Sequence, residues 1–480
     1  MTHLIRLDAP YCCAIIEAEL AKPPVWRHFG TPLGETPLLQ QWPEAALRRL
    51  PPGSMDRLSG LPLWPGSLNG LSGAALLSAH RGGRDAVHEM LLSEVQRVDA
   101  HTLRLRLADA MAGLAGDIER HLDPDTSILS VSTSVRNAGE GQLDVSAFSN
   151  CTVPAGADLC EIGNFYGQWS HEFQWSREAV PRAGWWRSNR RGRSSHEAPP
   201  ACFLLSPHTT DHQGPVLGAT LAWSSNHQFG VEWQDDGSVA VHAGAWLAPG
   251  EIVLEPGASL HAPSLLLSYS NSGINGASAH LHHWLRAKGL RWPGGRMRPR
   301  PVHLNTWEAV YFDHRLDTLK ELASAAAVVG VERFVLDDGW FAGRHNDQSS
   351  LGDWWPDPAK YPQGLGPLVE HVTGLGMEFG LWVEPEMVNP DSDLHRQHPD
   401  WALQVAGRPL ALGRNQLVLD LSRKEVTGYL FEHLNTLLEE HPIAYLKWDM
   451  NRDLAQACSA DGRAAYQAQV PALYALMDRL

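Results

Sequence analysis

Several kinds of segment are scarce or missing in this sequence, and each gap removes a class of function. No stretch approaches the roughly 20 apolar residues needed to cross a bilayer. The opening MTHLIRLDAPYCCAIIEAEL has no basic region followed by an apolar one, so a soluble cytoplasmic protein with no membrane partner is expected. Cysteine is sparse: Cys12, Cys13, Cys151, Cys160, Cys202 and Cys458 form no CxxC pair, which suits reduced, mostly buried thiols in a reducing compartment. Basic residues are too few to balance the acidic ones. With 39 Lys and Arg against 54 Asp and Glu, the formal charge is -15 and the pI is near 5.9, so nucleic acid and anionic membranes are repelled and a neutral substrate fits better. No GxGxxG, GxxxxGK[ST] or HExxH occurs, so the usual nucleotide and zinc signatures are lacking, and neither cofactor nor metal is expected. There is no internal repeat and no low-complexity tract.

What is present is a chain of 480 residues, long enough for two or three domains, with two as the working expectation. Residues 1–290 show short period-two runs broken by Gly, Asn, Asp and Pro, which read as a large antiparallel β-sandwich. Leu129, Val131, Thr133 and Val135 alternate, residues 137–141 turn, and Leu143, Val145 and Ala147 alternate again as a hairpin. A clearer hairpin has Phe229, Val231 and Trp233 on one face, turn chemistry over 235–238, and Val239 and Val241 returning. A helical pattern follows around Ala279 to Lys288. RWPGGRMRPRP, residues 291–301, is dense in Pro, Gly and Arg and reads as a linker.

From 302 to 480 the period changes. Strand candidates HLNTWEA, RFVLDD, EFGLWVEPE and AYLKWDM alternate with helical patterns through Leu316–Ala326, Leu365–Gly374 and Val426–Leu438, and the chain also passes through LVLDLS. Alternating strands and helices give βα units and a parallel sheet. Each strand ends in polar residues: Trp307-Glu308, Asp337-Asp338, Glu384 and Glu386, then Asp449. Reactive side chains at the C-terminal ends of several strands are how a (β/α)8 barrel builds a site, and the strand count amounts to its N-terminal part.

Along a strand, residues two apart share a face, so Lys447 and Asp449 are expected to point together with Trp448 opposite. A cation that close favours an ionised carboxylate and suits a nucleophile; a structural ion pair at a strand end is the bland alternative. Asp337 and Asp338 can accept hydrogen bonds from sugar hydroxyls, hold a metal, or cap the following loop. Trp307 and Trp382 lie near strand ends beside carboxylates, as in a sugar subsite, although tryptophan is more often core. Nineteen tryptophans must mostly be structural. Arg414 is a cation that can donate to hydroxyls, or an ordinary surface charge.

NTWEA, LDDGWF, GDWWPDPAKYPQGL, GLWVEPEMVNPDSDL, HPDW, GRNQLVLDLS and YLKWDMNR, in this order, resemble the α-galactosidases of glycoside hydrolase family 36. Upstream, GQWSHEFQW and RRGRSSHEAPP resemble that family's N-terminal β-sandwich. The resemblance implies double-displacement removal of terminal α-linked galactose from oligosaccharides of the melibiose and raffinose type. It makes Asp449 the nucleophile and places Trp307, Asp337, Asp338, Trp382, Arg414, Lys447 and Asn451 around the sugar, with Asp337 and Asp338 on the galactose 4- and 6-hydroxyls. The family's acid/base is an aspartate several tens of residues beyond the nucleophile, so it is expected past Leu480. The chain therefore reads as truncated within the barrel, with little hydrolase activity of its own. Asp453 is a poor substitute, being too close in sequence to Asp449 to reach the opposite face of the sugar. Competing readings are an α-N-acetylgalactosaminidase, a galactosyl transferase using the same intermediate, or a catalytically dead galactoside-binding protein. The resemblance also implies homo-oligomers when full length, with the Trp-rich region 169–186 either rimming a neighbour's site or serving as core.

Overall fold

In the computed structural model, residues 3–34, 60–66, 68, 73–235 and 237–480 are described. The chain divides into two compact units, Met1–Gly295 and Arg296–Leu480.

The first unit is antiparallel β-structure throughout. A ten-stranded and a six-stranded sheet share one core, with a separate four-stranded sheet at the N-terminus. The strand Leu114–Leu122 shows how alternation dictates the layering: Leu114, Ile118 and Leu122 are buried, whereas Asp117 is exposed. Side chains from one sheet, such as Leu105 and Val131, join Val153, Phe229 and Val241 of the other in that core, as two packed sheets require.

The clearer hairpin forms, pairing His227–Trp233 with Val239–Ala245 from Trp233↔Val239 onward; Asp236 in its turn lies outside the described residues. The other expected hairpin does not form. Ile128–Asn137 pairs within the ten-stranded sheet and Leu143–Ala155 within the six-stranded one, so the chain turns a corner between layers. Alternation reports which face is buried, not which strand is the partner. Asn137 pins the corner: fully buried, it donates from Nδ2 to the carbonyls of Gly141 (2.9 Å) and Leu254 (2.8 Å), and its Oδ1 accepts from Arg81 Nη2 at 2.8 Å. The expected helix begins earlier than its pattern, as Gly273–Trp284, and continues into a wider turn over Leu285–Gly289.

At one end of the ten-stranded sheet lies the hairpin Glu161–Gln168 and His171–Ala179. A bulge falls between Tyr166 and Gln168, and Phe173 takes a left-handed φ of 51°. Its aromatic side chains are exposed, Trp169 at 83% and Phe173 at 67%. All six cysteines are free, four of them buried.

In the second unit, strands β1 (His303–Asn305), β2 (Arg333–Leu336), β3 (Glu378–Val383) and β4 (Ile443–Trp448) form a parallel sheet in chain order. Helices α1 (Leu316–Val328), α2 (Gly366–Gly374) and α3 (Lys424–Glu440) connect them, and α4 (Tyr466–Arg479) follows β4. α3 buries Val426, Leu430, Leu434 and Leu437, one stripe of a 3.6-residue period, each worth about 2 kcal/mol relative to exposure.

One strand expectation is corrected. HLNTWEA is extended only to Asn305, because Asn305 Oδ1 accepts the Trp307 N–H at 2.9 Å and starts the short helix Trp307–Val310. LVLDLS stays outside the parallel sheet. Leu417–Val418 pairs antiparallel with Met387–Val388, and Leu419 N donates to the Glu386 carbonyl, so this segment spends its backbone on the loop after β3.

Asn137→Ala strips several buried groups of their partners at the inter-sheet corner. We expect urea denaturation of the first unit to show a loss of about 2–4 kcal/mol, with little change in the second.

Candidate active site

All four parallel strands end on carboxylates or their partners. β1 leads through Asn305 to Trp307, β2 into Asp337 and Asp338, β3 into Glu384, and β4 into Asp449 and Asn451. A side-open depression of about 320 Å³, lined by Asn305, Trp307, Val335, Tyr445 and Lys447, lies beside these ends.

Asp337 is 3% exposed. Its Oδ2 accepts from Lys447 Nζ at 2.7 Å and from Asn305 Nδ2 at 2.5 Å, and its Oδ1 accepts the Asp338 N–H at 2.9 Å. Asp338 is bound through both oxygens by Arg344, with Nε to Oδ1 at 2.9 Å and Nη2 to Oδ2 at 2.8 Å. Burial pushes the Asp338 carboxyl up from its ordinary value, and the guanidinium offsets only part of that rise. The loop carrying Asp338 is held from below. Lys360 Nζ donates to the carbonyls of Phe312, Gly339 and Arg344, and His314, with Nδ1 2.9 Å from the Tyr361 hydroxyl, sits against Gly339. Gly339 has φ 115°, and a Cβ there would meet His314 Nε2 at 3.1 Å and Phe312 Cα at 3.2 Å, so glycine is required in the DDGW turn.

Asp449 is held by dipoles instead of a cation. Its Oδ2 accepts from Trp382 Nε1 at 3.0 Å and Asn451 Nδ2 at 2.7 Å, and its Oδ1 accepts the Met450 N–H at 3.0 Å. Trp382 is fixed within a buried aromatic group: its ring stacks on Phe341 with centroids 6.4 Å apart and planes at 3°, and its carbonyl accepts from Trp340 Nε1. Behind Asp449, Glu384 accepts the Asn451 N–H on Oε1 at 2.6 Å and Gln416 Nε2 on Oε2 at 3.0 Å. Among the described residues no group of three His, Cys, Asp or Glu side chains is arranged to hold a metal.

Known proteins resemble this chain over most of its length. A family model named Melibiase matches residues 259–480, and one for the glycosyl hydrolase family 36 N-terminal domain matches 23–255. An "Alpha-galactosidase" of Escherichia coli is 42% identical over 428 residues, covering 89% of this chain and 60% of that protein. The crystal structure of the GH36 alpha-galactosidase AgaA from Geobacillus stearothermophilus superposes with a TM-score of 0.92 at 30% identity, covering 99% of this chain and 70% of that one. The chain belongs to glycoside hydrolase family 36. A substituted form of AgaA, 29% identical, was solved in complex with raffinose. The chain aligns with 60% of the length of the Escherichia coli relative and 50% of that of AgaA.

Within this family member, the residues singled out from sequence do not all meet. Lys447 and Asp337 form one pair, and Trp382, Asn451 and Asp449 form a second hydrogen-bonded group at the neighbouring strand ends. Lys447 pairs with Asp337 and not with Asp449, because its chain reaches across β3 to the end of β2. Trp448 packs partly buried on the core and donates to Glu386 Oε1 at 3.3 Å. Trp382 is 2% exposed and reaches the site through its indole N–H, whereas Trp307 is half-buried and lines the depression, edge-on to Tyr311 and Phe312. Arg414 is exposed, with φ 51°, and makes no ion pair with these carboxylates among the described residues. Sequence reasoning missed Asn305, Arg344, Lys360, His314 and Gln416. Asn305, Lys360 and Gln416 sat inside quoted motifs, but Arg344 and His314 lie in loops where no spacing marks a partner.

Burial lowers the His314 pKa to about 4, with Lys360 adding to the shift and Asp337 opposing it. The neutral imidazole is therefore favoured in the fold. Its contribution is complete above the unfolded value near 6.5 and is lost as pH falls through about 4, on the order of 3 kcal/mol. We expect His314→Gln to flatten the loss of stability between pH 6.5 and 4, measured by denaturant titration across that range.

Proposed function

We propose that the protein of which this chain is part removes terminal α-linked galactose from neutral oligosaccharides by double displacement. The observation that carries this reading is Asp449: a carboxylate at the end of β4, oriented through Oδ2 by Trp382 and Asn451, beside the Lys447–Asp337 pair. In the first step Asp449 attacks the anomeric carbon, the glycosidic C–O bond breaks with its electron pair leaving on oxygen, and a second carboxyl group about 5 Å away protonates that oxygen. Water, giving a proton back to that second carboxylate, then attacks the same carbon and returns the electron pair to Asp449. Lys447 keeps ammonium protons beyond the one given to Asp337, and Asp337 and Asp338 keep lone pairs, so these three suit hydroxyl recognition at positions 4 and 6.

Following the family resemblance, we assign the acid/base to another part of the protein; Asp337 and Asp338 are bound to cations and Glu384 is turned into the protein. The four βα units belong, in this reading, to a (β/α)8 barrel, and the full-length protein is a cytoplasmic homo-oligomer. The exposed aromatic hairpin tip supports the last point, and no helix among the described residues is long and apolar enough to cross a membrane.

Incubation of the full-length protein with a 2-fluorinated galactosyl fluoride is expected to add one sugar mass to the peptide containing Asp449, and Asp449→Asn to lower kcat on a nitrophenyl α-galactoside by at least about a thousandfold. Binding without labelling would favour the galactoside-binding protein; preference for the N-acetylgalactosaminide would favour that hydrolase; and transfer to added sugar exceeding hydrolysis would favour the transferase.

A further inference from the structure

Glu384 occupies an unusual position for a carboxyl group. It is 1% exposed, directly after β3, and forms no ion pair among the described residues. The cations nearby are committed elsewhere. Arg344 is spent on Asp338, Lys447 on Asp337, and Arg452 on the backbone carbonyls of Ala411, Gln416 and Asp453. The charged groups that act on it are acids: Asp449 from the end of β4 and Asp338 from the end of β2, with Glu386 two residues on in its own loop, tied to Trp448.

An ionised carboxylate here is buried beside two others with no counter-charge, an arrangement proteins avoid by protonation. The surroundings can accept that proton's hydrogen bond. Gln416 Oε1 is buried without a donor, and a half-turn of the amide, which keeps its shape, presents that oxygen to Glu384 Oε2 where Nε2 now lies at 3.0 Å. The other oxygen clamps the Asn451 backbone at 2.6 Å, and the Asn451 side chain holds Asp449.

We propose that Glu384 is a positioning residue that carries a proton in the resting site, fixing Asp449 through Asn451 without placing a second negative charge behind the nucleophile. Burial, with Asp449 adding to it, pushes Glu384 up to about 7, so the proton is held through the acidic range and lost just above neutrality. This rests on the galactosidase reading and adds a consequence for one of its two steps. When Asp449 is esterified its charge is gone. When water breaks the ester, the electron pair returns to Asp449 and the carboxylate is remade, which a neutral Glu384 permits and an ionised one opposes by like-charge repulsion. Loss of the Glu384 proton therefore slows release of the sugar more than its attachment.

With the full-length protein, kcat and KM on a nitrophenyl α-galactoside are expected to fall together above pH 7 as the intermediate accumulates. In Glu384→Gln, which stays neutral and keeps the Asn451 contact, both should remain level, with kcat at pH 8.5 at least about threefold above wild type. Superimposable wild-type and Glu384→Gln profiles would overturn the proposal. A second measurement needs no turnover: isotope-edited infrared titration of ¹³C-glutamate-labelled protein should show a buried carboxyl titrating near neutrality, moving down in Asp449→Asn. A Glu384 band ionising in the ordinary glutamate range would sink the idea even if the variant failed to fold. An inactive wild type would instead count against the galactosidase reading, leaving the infrared result to decide the proton.

Discussion

The ion pair between Lys447 and Asp337 joins strands that are not neighbours. Adjacent strands lie about 4.8 Å apart, so β2 and β4 are separated by nearly 10 Å in a flat sheet. The contact of 2.7 Å is made because the long lysine side chain reaches over β3 to the carboxylate on the same face of the sheet. Asp337 also receives Asn305 from β1, so a single carboxylate gathers three of the four strand ends. Its neutralisation by Lys447, and that of Asp338 by Arg344, leaves Asp449 as the carboxylate of the three with no cation bound among the described residues. Dipoles from Trp382, Asn451 and the backbone orient it without cancelling its charge, as an attacking oxygen requires.

Support for these groups comes from layers that do not touch the depression. The Phe341–Trp382 stack, with Trp340 bonded to the Trp382 carbonyl, fixes the direction of one indole N–H. The three carbonyls gathered on Lys360 fix the turn that presents Asp338 and its arginine. In the first case packing of large buried rings removes rotamer freedom, and in the second a half-buried lysine does so through its hydrogen bonds.

The sequence made much of this readable, for reasons that differ by residue. Period-two alternation exposed the sandwich and the βα pattern exposed the parallel strands, because burial on one face leaves a periodic trace. Asp337, Asp338, Glu384 and Asp449 were visible as polar groups closing apolar runs. Pairing was not visible. Lys447 was read beside Asp449 by spacing along one strand, while its partner lies 110 residues away; Ile128–Asn137 and Leu143–Ala155 alternate like a hairpin and join different sheets. Arg414 drew attention as the charged residue of its loop, yet the neutral Gln416, two residues on, reaches Glu384. Long-range partners leave no periodic mark, so a chain read in one dimension shows which groups need satisfying and not what satisfies them.

The hairpin at the end of the ten-stranded sheet carries one more implication. A long antiparallel edge lined with Phe and Trp is ordinarily a template for further strands and for aggregation. Here the bulge after Tyr166 and the left-handed Phe173 break the even spacing of outward N–H and C=O groups that such growth needs. The same two irregularities thus interrupt the ladder at the sheet edge, where the exposed rings of Trp169 and Phe173 would otherwise sit beside a continuous template.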